Sequence, residues 1–261
     1  MEYTTIKYEK KGGVGYLTFN RPEIHNAFNS TLIKEMLHLF GAIESDEQLR
    51  LVVLTGEGKS FCAGADLNWM RSVVNQSFEQ NLAESSELAD LLYRVYTFRR
   101  PVIGRVNGAA IGGGTGFVAV CDIAIAARSA KFSFSEVKIG VVPACIGPYV
   151  VKKMGEGKAR ELFITGERMT ADRAFEVGLV SKVVDDGRLD EEVDKLVKLV
   201  LSSGPEAVAM AKKLVSEVPG MEPDRFKPYT AEMIARLRLS DEGQEGMDAF
   251  LNKRPPKWVE D

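Results

Sequence analysis

The sequence predicts an α/β fold with a helical C-terminal region. Three observations carry this. Short apolar runs with the pattern of buried strands recur near residues 16, 53, 104 and 124. Polar or glycine-bearing loops and stretches of helical spacing alternate with them. From about Lys158 onward, helical patterning takes over.

The chain opens on a hairpin pattern. Thr5 to Tyr8 and Val14 to Phe19 are β-favouring runs around the turn signal Lys10-Lys11-Gly12-Gly13, and Arg21-Pro22 breaks the second strand. Phe28, Leu32, Met36, Leu39, Phe40 and Ile43 have the 3–4 spacing of an amphipathic helix, with Asn29 or Ser30 as its cap. Leu51 to Thr55 reads as a strand buried on both faces. A polar loop from Gly56 to Ser60 leads into Phe61-Cys62-Ala63-Gly64-Ala65-Asp66-Leu67. Leu88, Leu91, Leu92, Val95 and Phe98 mark a second helix, and Pro101 to Val106 a further buried strand. Thr115 to Val120 is a helix start, and Ile123 to Ala127 and Phe132 to Phe134 are strands. Thr170 and Gly178 stand where an N-cap and a residue just past a helix end belong. Leu189, Val193, Leu196 and Val200 form an apolar stripe, and Pro205 opens another helix. The last 30 residues are amphipathic and then basic. The expected organisation is a core over 1–195 and a helical region over 196–261.

The 261 residues are 45% hydrophobic and 27% charged, the balance of a globular protein. A net charge of −3 offers no concentrated basic face, so neither a nucleic acid nor a membrane is expected as partner. The three cysteines, Cys62, Cys121 and Cys145, are too few and too scattered for a disulfide framework or zinc cluster, which predicts a reduced, cytoplasmic setting. The opening MEYTTIKYEK has no apolar core of a signal peptide, so no secretory signal is expected. Pro101 to Ala127 is apolar, but Arg105, Asp122 and six glycines make it a buried strand–turn–helix rather than a membrane span.

Two loops invite a chemical reading. Ala63-Gly64-Ala65-Asp66 and Gly112-Gly113-Gly114 both follow predicted strands, the second at a predicted helix start. Unpaired amides at a helix start carry partial positive charge, and glycine lets a ligand come close. Two such amides converging would form an oxyanion hole. A triple glycine by itself also fits tight packing or a turn. Its spacing matches neither a dinucleotide fingerprint nor a P-loop. There is no nucleophile elbow, and no metal-ligand cluster is visible. Of the two histidines, His38 reads as a surface or packing residue.

The ordered blocks Asn20-Arg21-Pro22…Asn26-Ala27-Phe28, Phe61 to Leu67, Val106-Asn107-Gly108…Gly112-Gly113-Gly114…Cys121-Asp122-Ile123-Ala124, Glu136…Gly140…Val142-Pro143, Leu162…Thr165-Gly166, Ala174…Gly178-Leu179-Val180 and Glu245-Gly246…Lys253-Arg254-Pro255 resemble the enoyl-CoA hydratase/isomerase (crotonase) superfamily over almost the whole chain. The resemblance implies a spiral of ββα units with a helical C-terminal part that trimerises, as a homotrimer or a dimer of trimers. It implies an acyl-CoA thioester as substrate, with coenzyme A part of that substrate and no separate cofactor. The thioester carbonyl would lie between the amides of Ala65 and Gly113, with Glu136 as acid–base. Substrate contacts carry over to Glu23, Ile24 and His25, to Ala63, Asp66 and Leu67, to Ile111, Gly112 and Gly116, and to Ala144. Read by themselves, Asp66 is equally a turn or cap residue, Asp122 a structural loop carboxylate, and Cys62 and Cys145 small apolar fillers.

The chain departs from the family pattern at one point. Hydratases of this family resemble one another in two glutamates, and the first falls where this sequence has Gly116. A finer resemblance, through Gly64 to Met70, Leu88 to Tyr93, Gly113 to Ala119, Phe134 to Ala144 and Ile146 to Val150, is to bacterial methylglutaconyl-CoA hydratases of leucine breakdown, some of which also carry glycine there. It implies a hydro-lyase acting on 3-methylglutaconyl-CoA. The alternatives are a Δ3,Δ2-enoyl-CoA isomerase, an acyl-CoA hydrolase, or a non-catalytic acyl-CoA binder on the same fold.

Overall fold

The computed structural model describes residues 2–259. The chain divides into two compact units. The first holds the residues up to Phe98 together with Val102–Val193; the second holds Arg99–Pro101 and the chain from Asp194.

In the first unit, β1 (Ile6–Lys11) and β2 (Val14–Phe19) form an antiparallel hairpin turned by Gly12 and Gly13, both at positive φ. Lys10 and Lys11 belong to the strand rather than to the turn. The charged, exposed β1 is an edge strand, a composition that discourages pairing with another chain. Helix α1 (Ser30–Ala42) carries the chain back, so that β3 (Leu51–Gly56) lies parallel to β2. Asn29 caps α1 through Leu32 N. Next come β4 (Ser60–Cys62), α2 (Leu67–Ser72), α3 (Phe78–Thr97), β5 (Val102–Val106), β6 (Ala109–Ile111), α4 (Gly113–Val120), β7 (Ile123–Ala127) and β8 (Lys131–Ser133). α5 (Gly147–Met154), α6 (Glu156–Thr165), β9 (Arg168–Thr170), α7 (Ala171–Glu176) and β10 (Lys182–Val184) complete the unit.

Two sheets result. The larger has the order β1-β2-β3-β5-β7-β10, and the smaller β4-β6-β8-β9. Each repeat sends its first strand to the larger sheet and its second to the smaller one before a helix follows: β3 and β4, β5 and β6, β7 and β8. This is a ββα spiral. It places β4 and β6 side by side and in parallel, so whatever follows each strand emerges at the same end. The central strands of the larger sheet are apolar on both faces because helices and the smaller sheet cover them. Phe117 of α4 packs edge-on or tilted against Phe19 and Phe28 at centroid distances of 5.2 and 5.7 Å, anchoring α4 in the core.

Helix α8 (Leu189–Leu201) leads into the second unit, which holds α9 (Pro205–Glu217), α10 (Pro223–Leu239) and α11 (Asp241–Leu251). The Glu242 carboxylate of α11 accepts the amides of Glu206 and Ala207 at 2.8 Å each, capping α9, whose own N-cap Gly204 has no side chain to do so. Arg254 pairs with Glu245 and Asp248 at 2.6 Å each. Among the described residues no helix is long and apolar enough to cross a membrane.

Several elements depart from the sequence expectation. β4, β6, β9 and β10 are three residues long, too short for a period of two to show. α3 starts at Phe78 rather than near Leu88, because a capping box between Ser77 and Gln80 nucleates it ahead of the apolar stripe. α2, α5 and the start of α6 were not foreseen, and the predicted strand 132–134 lies at Lys131–Ser133.

Candidate active site

The loops after β4 and β6 meet. A Cβ on Gly114 would fall 2.0 Å from the carbonyl oxygen of Cys62, and one on Gly64 2.8 Å from that of Ile111. Only glycine permits backbones this close, and Gly64 also holds a φ of +94°.

Phe28 joins the two loops. Its amide donates to Gly64 O and its carbonyl accepts from Asp66 N, both at 2.8 Å, forming a bridge to Ala65. Ala65's own amide lies between those two bonds and takes part in neither. The Phe28 ring rests on the second loop, where a Cβ on Gly113 would lie 2.6 Å from its Cε1. Ala65 and Gly113 thus both stand against Phe28. Gly113 is the first residue of α4, whose first-turn amides have no acceptor within the helix. The preceding amide, Gly112 N, is taken by Ser133 O at 2.7 Å. None of the described loop hydrogen bonds uses the amide of Ala65 or Gly113.

Glu136 sits on a 3-10 turn, Ser135–Ile139, just past β8. A Cβ on Gly112 would lie 3.2 Å from its Oε1, so the carboxyl rests directly on the backbone at the start of α4. Its Oε2 is buried with no hydrogen-bond partner among the described residues. Burial pushes the carboxyl above its ordinary value, and a bond from its own backbone amide offsets this only in part. One helical turn along α4, the Gly116 position is closed: a Cβ there would fall 2.1 Å from Ile146 Cγ2 and 2.8 Å from Ile146 Cβ.

Around this centre the other expected residues take differing places. Ala63 N donates to His25 O at 3.0 Å, tying the 23–25 segment to the first loop. Glu23 and His25 are exposed and Ile24 is half-buried. His25 adopts a left-handed φ of 56°, and its Nδ1 lies 3.0 Å from Ser60 Oγ. Asp66 is a cap: it accepts from Asn68 N at 2.7 Å and from Trp69 N, and pairs with Arg21 at 2.7 Å. Burial alone would raise the Asp66 carboxyl, but Arg21 and these amides hold it below its usual value. Leu67 is exposed and Ile111 half-buried, while Ala144 is exposed on the loop before α5. Asp122 accepts from Val102 N at 2.7 Å, a structural tie between β5 and β7. His38 lies 2.9 Å from the Tyr3 hydroxyl. Burial pushes the Cys62 thiol up to about 12, which leaves it inert near neutrality.

Three residues escaped the sequence reading of the site. Phe28 reads as one more apolar position of α1. Arg21 reads as part of a strand-breaking dipeptide, although it pairs with Asp66 and donates to Ala27 O at 2.6 Å. Ile146 has no local signal, since its partner Gly116 lies on another helix.

A partly buried carboxyl held above its ordinary range, close to amides that the described loop hydrogen bonds leave unused, makes this a candidate site for proton transfer. The model for the family enoyl-CoA hydratase/isomerase matches residues 9–261, and the chain belongs to that family. It is 40% identical to a crystal structure of an enoyl-CoA hydratase from Shewanella pealeana, with a TM-score of 0.95 and coverage of 98% of this chain and 97% of that one. It is 35% identical to the crotonyl-CoA hydratase of Syntrophomonas wolfei, covering 99% of each chain. It is 34% identical to the short-chain-enoyl-CoA hydratase of Clostridium acetobutylicum, covering 97% of each.

Proposed function

We propose that this enzyme adds water across the 2,3 double bond of an acyl-CoA thioester, using Glu136 as its single acid–base group. The observation that carries the reading is the buried, unpartnered Oε2 of Glu136 beside the start of α4. The names of the related hydratases support it. In this reading the thioester oxygen sits between the amides of Ala65 and Gly113. Ionised Glu136 takes a proton from water as the water oxygen bonds to C3. The electron pair of the double bond moves onto the thioester oxygen as an enolate, and the two amides stabilise that charge. Glu136 then returns the proton to C2. One oxyanion donor is typically worth about 2.7–4 kcal/mol of barrier. A carboxyl raised toward working pH suits both halves of the proton transfer. Because one group serves both carbons, the addition is syn.

The finer substrate, 3-methylglutaconyl-CoA, rests on the sequence resemblance. The homotrimer or dimer of trimers that the resemblance implies is supported by Leu239, Phe250 and Leu251, which the second unit leaves exposed. Light scattering measures that assembly. A second reading, isomerisation of a 3-enoyl-CoA to a 2-enoyl-CoA, is favoured by the closed Gly116 position. Moving a proton between C4 and C2 needs one carboxyl and no activated water.

The test follows enoyl absorbance with crotonyl-CoA, 3-methylglutaconyl-CoA and a 3-enoyl-CoA, for the wild type and Glu136→Gln. Hydration by the wild type and its collapse in the variant support the first reading, and the faster enoyl substrate identifies the acyl group. Formation of 2-enoyl-CoA without hydration replaces it with the second.

A further inference from the structure

Gly116 and Ile146 make a close contact, one helical turn from the backbone beside Glu136, that the proton transfer does not use. Position 116 is a glycine on the buried helix α4, and the side chain of Ile146, itself only 3% exposed, fills the space in front of it. The overlap is severe. A Cβ at 116 would meet Ile146 Cγ2 at 2.1 Å and its Cβ at 2.8 Å, distances that no rotation about the end of the isoleucine relieves, because Cβ is fixed to the backbone. That backbone is held in turn. Ile146 O accepts from Tyr149 N at 3.1 Å and Val150 N at 3.2 Å, and Gly147 N donates to Pro143 O at 2.9 Å. Pro148 in the first turn restricts the entry to α5 further.

Position 116 also stands in a defined relation to Glu136. Gly112 and Gly116 are four residues apart, and Gly116 N donates to Gly112 O at 3.2 Å, so one turn of α4 separates them. Glu136 lies on the first and Ile146 on the second. One turn along α4 from the backbone that Glu136 rests on, an aliphatic side chain is thus seated where residue 116 would project.

We propose that the Ile146 side chain takes the place of a second acid–base group, filling the space into which a residue at 116 would project, one turn along α4 from the backbone on which Glu136 rests. This rests on the reading of Glu136 as the acid–base group. The pair Gly116–Ile146 then acts as a unit. A carboxylate cannot be restored at 116 while Ile146 stands, and removing Ile146 opens volume without supplying chemistry.

The test is a double-mutant cycle with two readouts. The variants are Gly116→Ala, Ile146→Ala and their combination, then Gly116→Glu with and without Ile146→Ala. Thermal midpoints are measured first. Gly116→Ala alone is expected to lower the midpoint by about 5 °C or more, and by less than about 2 °C once Ile146 is alanine, a coupling typical of residues in direct contact. Gly116→Ala introduces only one methyl group and serves as the variant that still folds should Gly116→Glu not. Additive shifts would overturn the proposal. The second readout is hydration of crotonyl-CoA. Gly116→Glu with Ile146→Ala is expected to exceed Ile146→Ala by about 10-fold or more in kcat, the lower part of what a positioned acid–base group contributes. Coupled midpoints with no such gain in an active enzyme would overturn the catalytic half of the proposal. Coupled midpoints with no hydration by any variant, the wild type included, would uphold the steric placement of Ile146 and defeat the hydratase reading instead.

Discussion

Two glutamates of the first unit sit in opposite surroundings. Glu35, on α1, is 2% exposed, and its oxygens accept four hydrogen bonds from the amides and hydroxyls of Thr4 and Thr5, between 2.6 and 2.9 Å. Burial by itself would raise its carboxyl, but those four donors outweigh burial and hold it below its ordinary value of 4.5. Glu136 is half-buried and has one buried oxygen without a partner, so burial prevails and its carboxyl rises. The same side chain is a staple in one place and, in the proposed reaction, a proton carrier in the other. Donors make the difference: a carboxylate saturated with hydrogen bonds stays ionised, and one left short of them stays poised to take a proton.

Each arm of that contrast can be broken. The largest effect is expected at Glu136, where replacement by Gln should lower kcat by about 10²–10⁴-fold in steady-state assays. The same variant should keep or raise the thermal midpoint above neutral pH, because it removes a buried charge that lacks a partner. A fall in midpoint there would mean that Glu136 is structural.

At Glu35 the effects should reverse. Glu35→Ala is expected to cost about 2–4 kcal/mol in denaturant unfolding, by orphaning the Thr4 and Thr5 donors, with kcat of the folded fraction unchanged.

The pH dependence sharpens the comparison further. The folded value of Glu35 lies below its unfolded one, so its contribution is present above about 4.5 and is lost as pH falls through the lowered folded value. Glu136 has a raised folded value, so any stability it lends is present below 4.5 and is lost as pH rises through the raised value. On acidification, activity should therefore fade before the staple does. A pH profile of kcat/KM beside one of thermal midpoint checks the order, and coincident limbs would remove the distinction between the two sites. Among the smaller effects, Asn29→Ala should cost about 1 kcal/mol by uncapping the helix that carries Glu35.

Much of this protein is legible in its residues. Leu51 to Thr55 and Ile123 to Ala127 lie in the large sheet because an unbroken apolar run of that length has no stable place except between two covered faces. Asn29 and Thr170 cap helices as their types predict, and Gly178 takes a positive φ just past the end of α7. The glycines at 64 and 112–114 pointed to a ligand close to the backbone or to tight packing, whereas a role for Glu136 came only from the family resemblance. These features depend on one residue and its near neighbours. Tertiary structure decided the rest. It paired Gly114 with Cys62 and Gly64 with Ile111, set Phe28 against both Ala65 and Gly113, and engaged Asp66 with Arg21. It left Glu136 Oε2 without a donor and set Ile146 in front of Gly116. The physical reason is one of range. Hydrogen-bond saturation and steric exclusion depend on which atoms meet across strands and helices tens of residues apart, and no periodicity along the chain encodes those meetings.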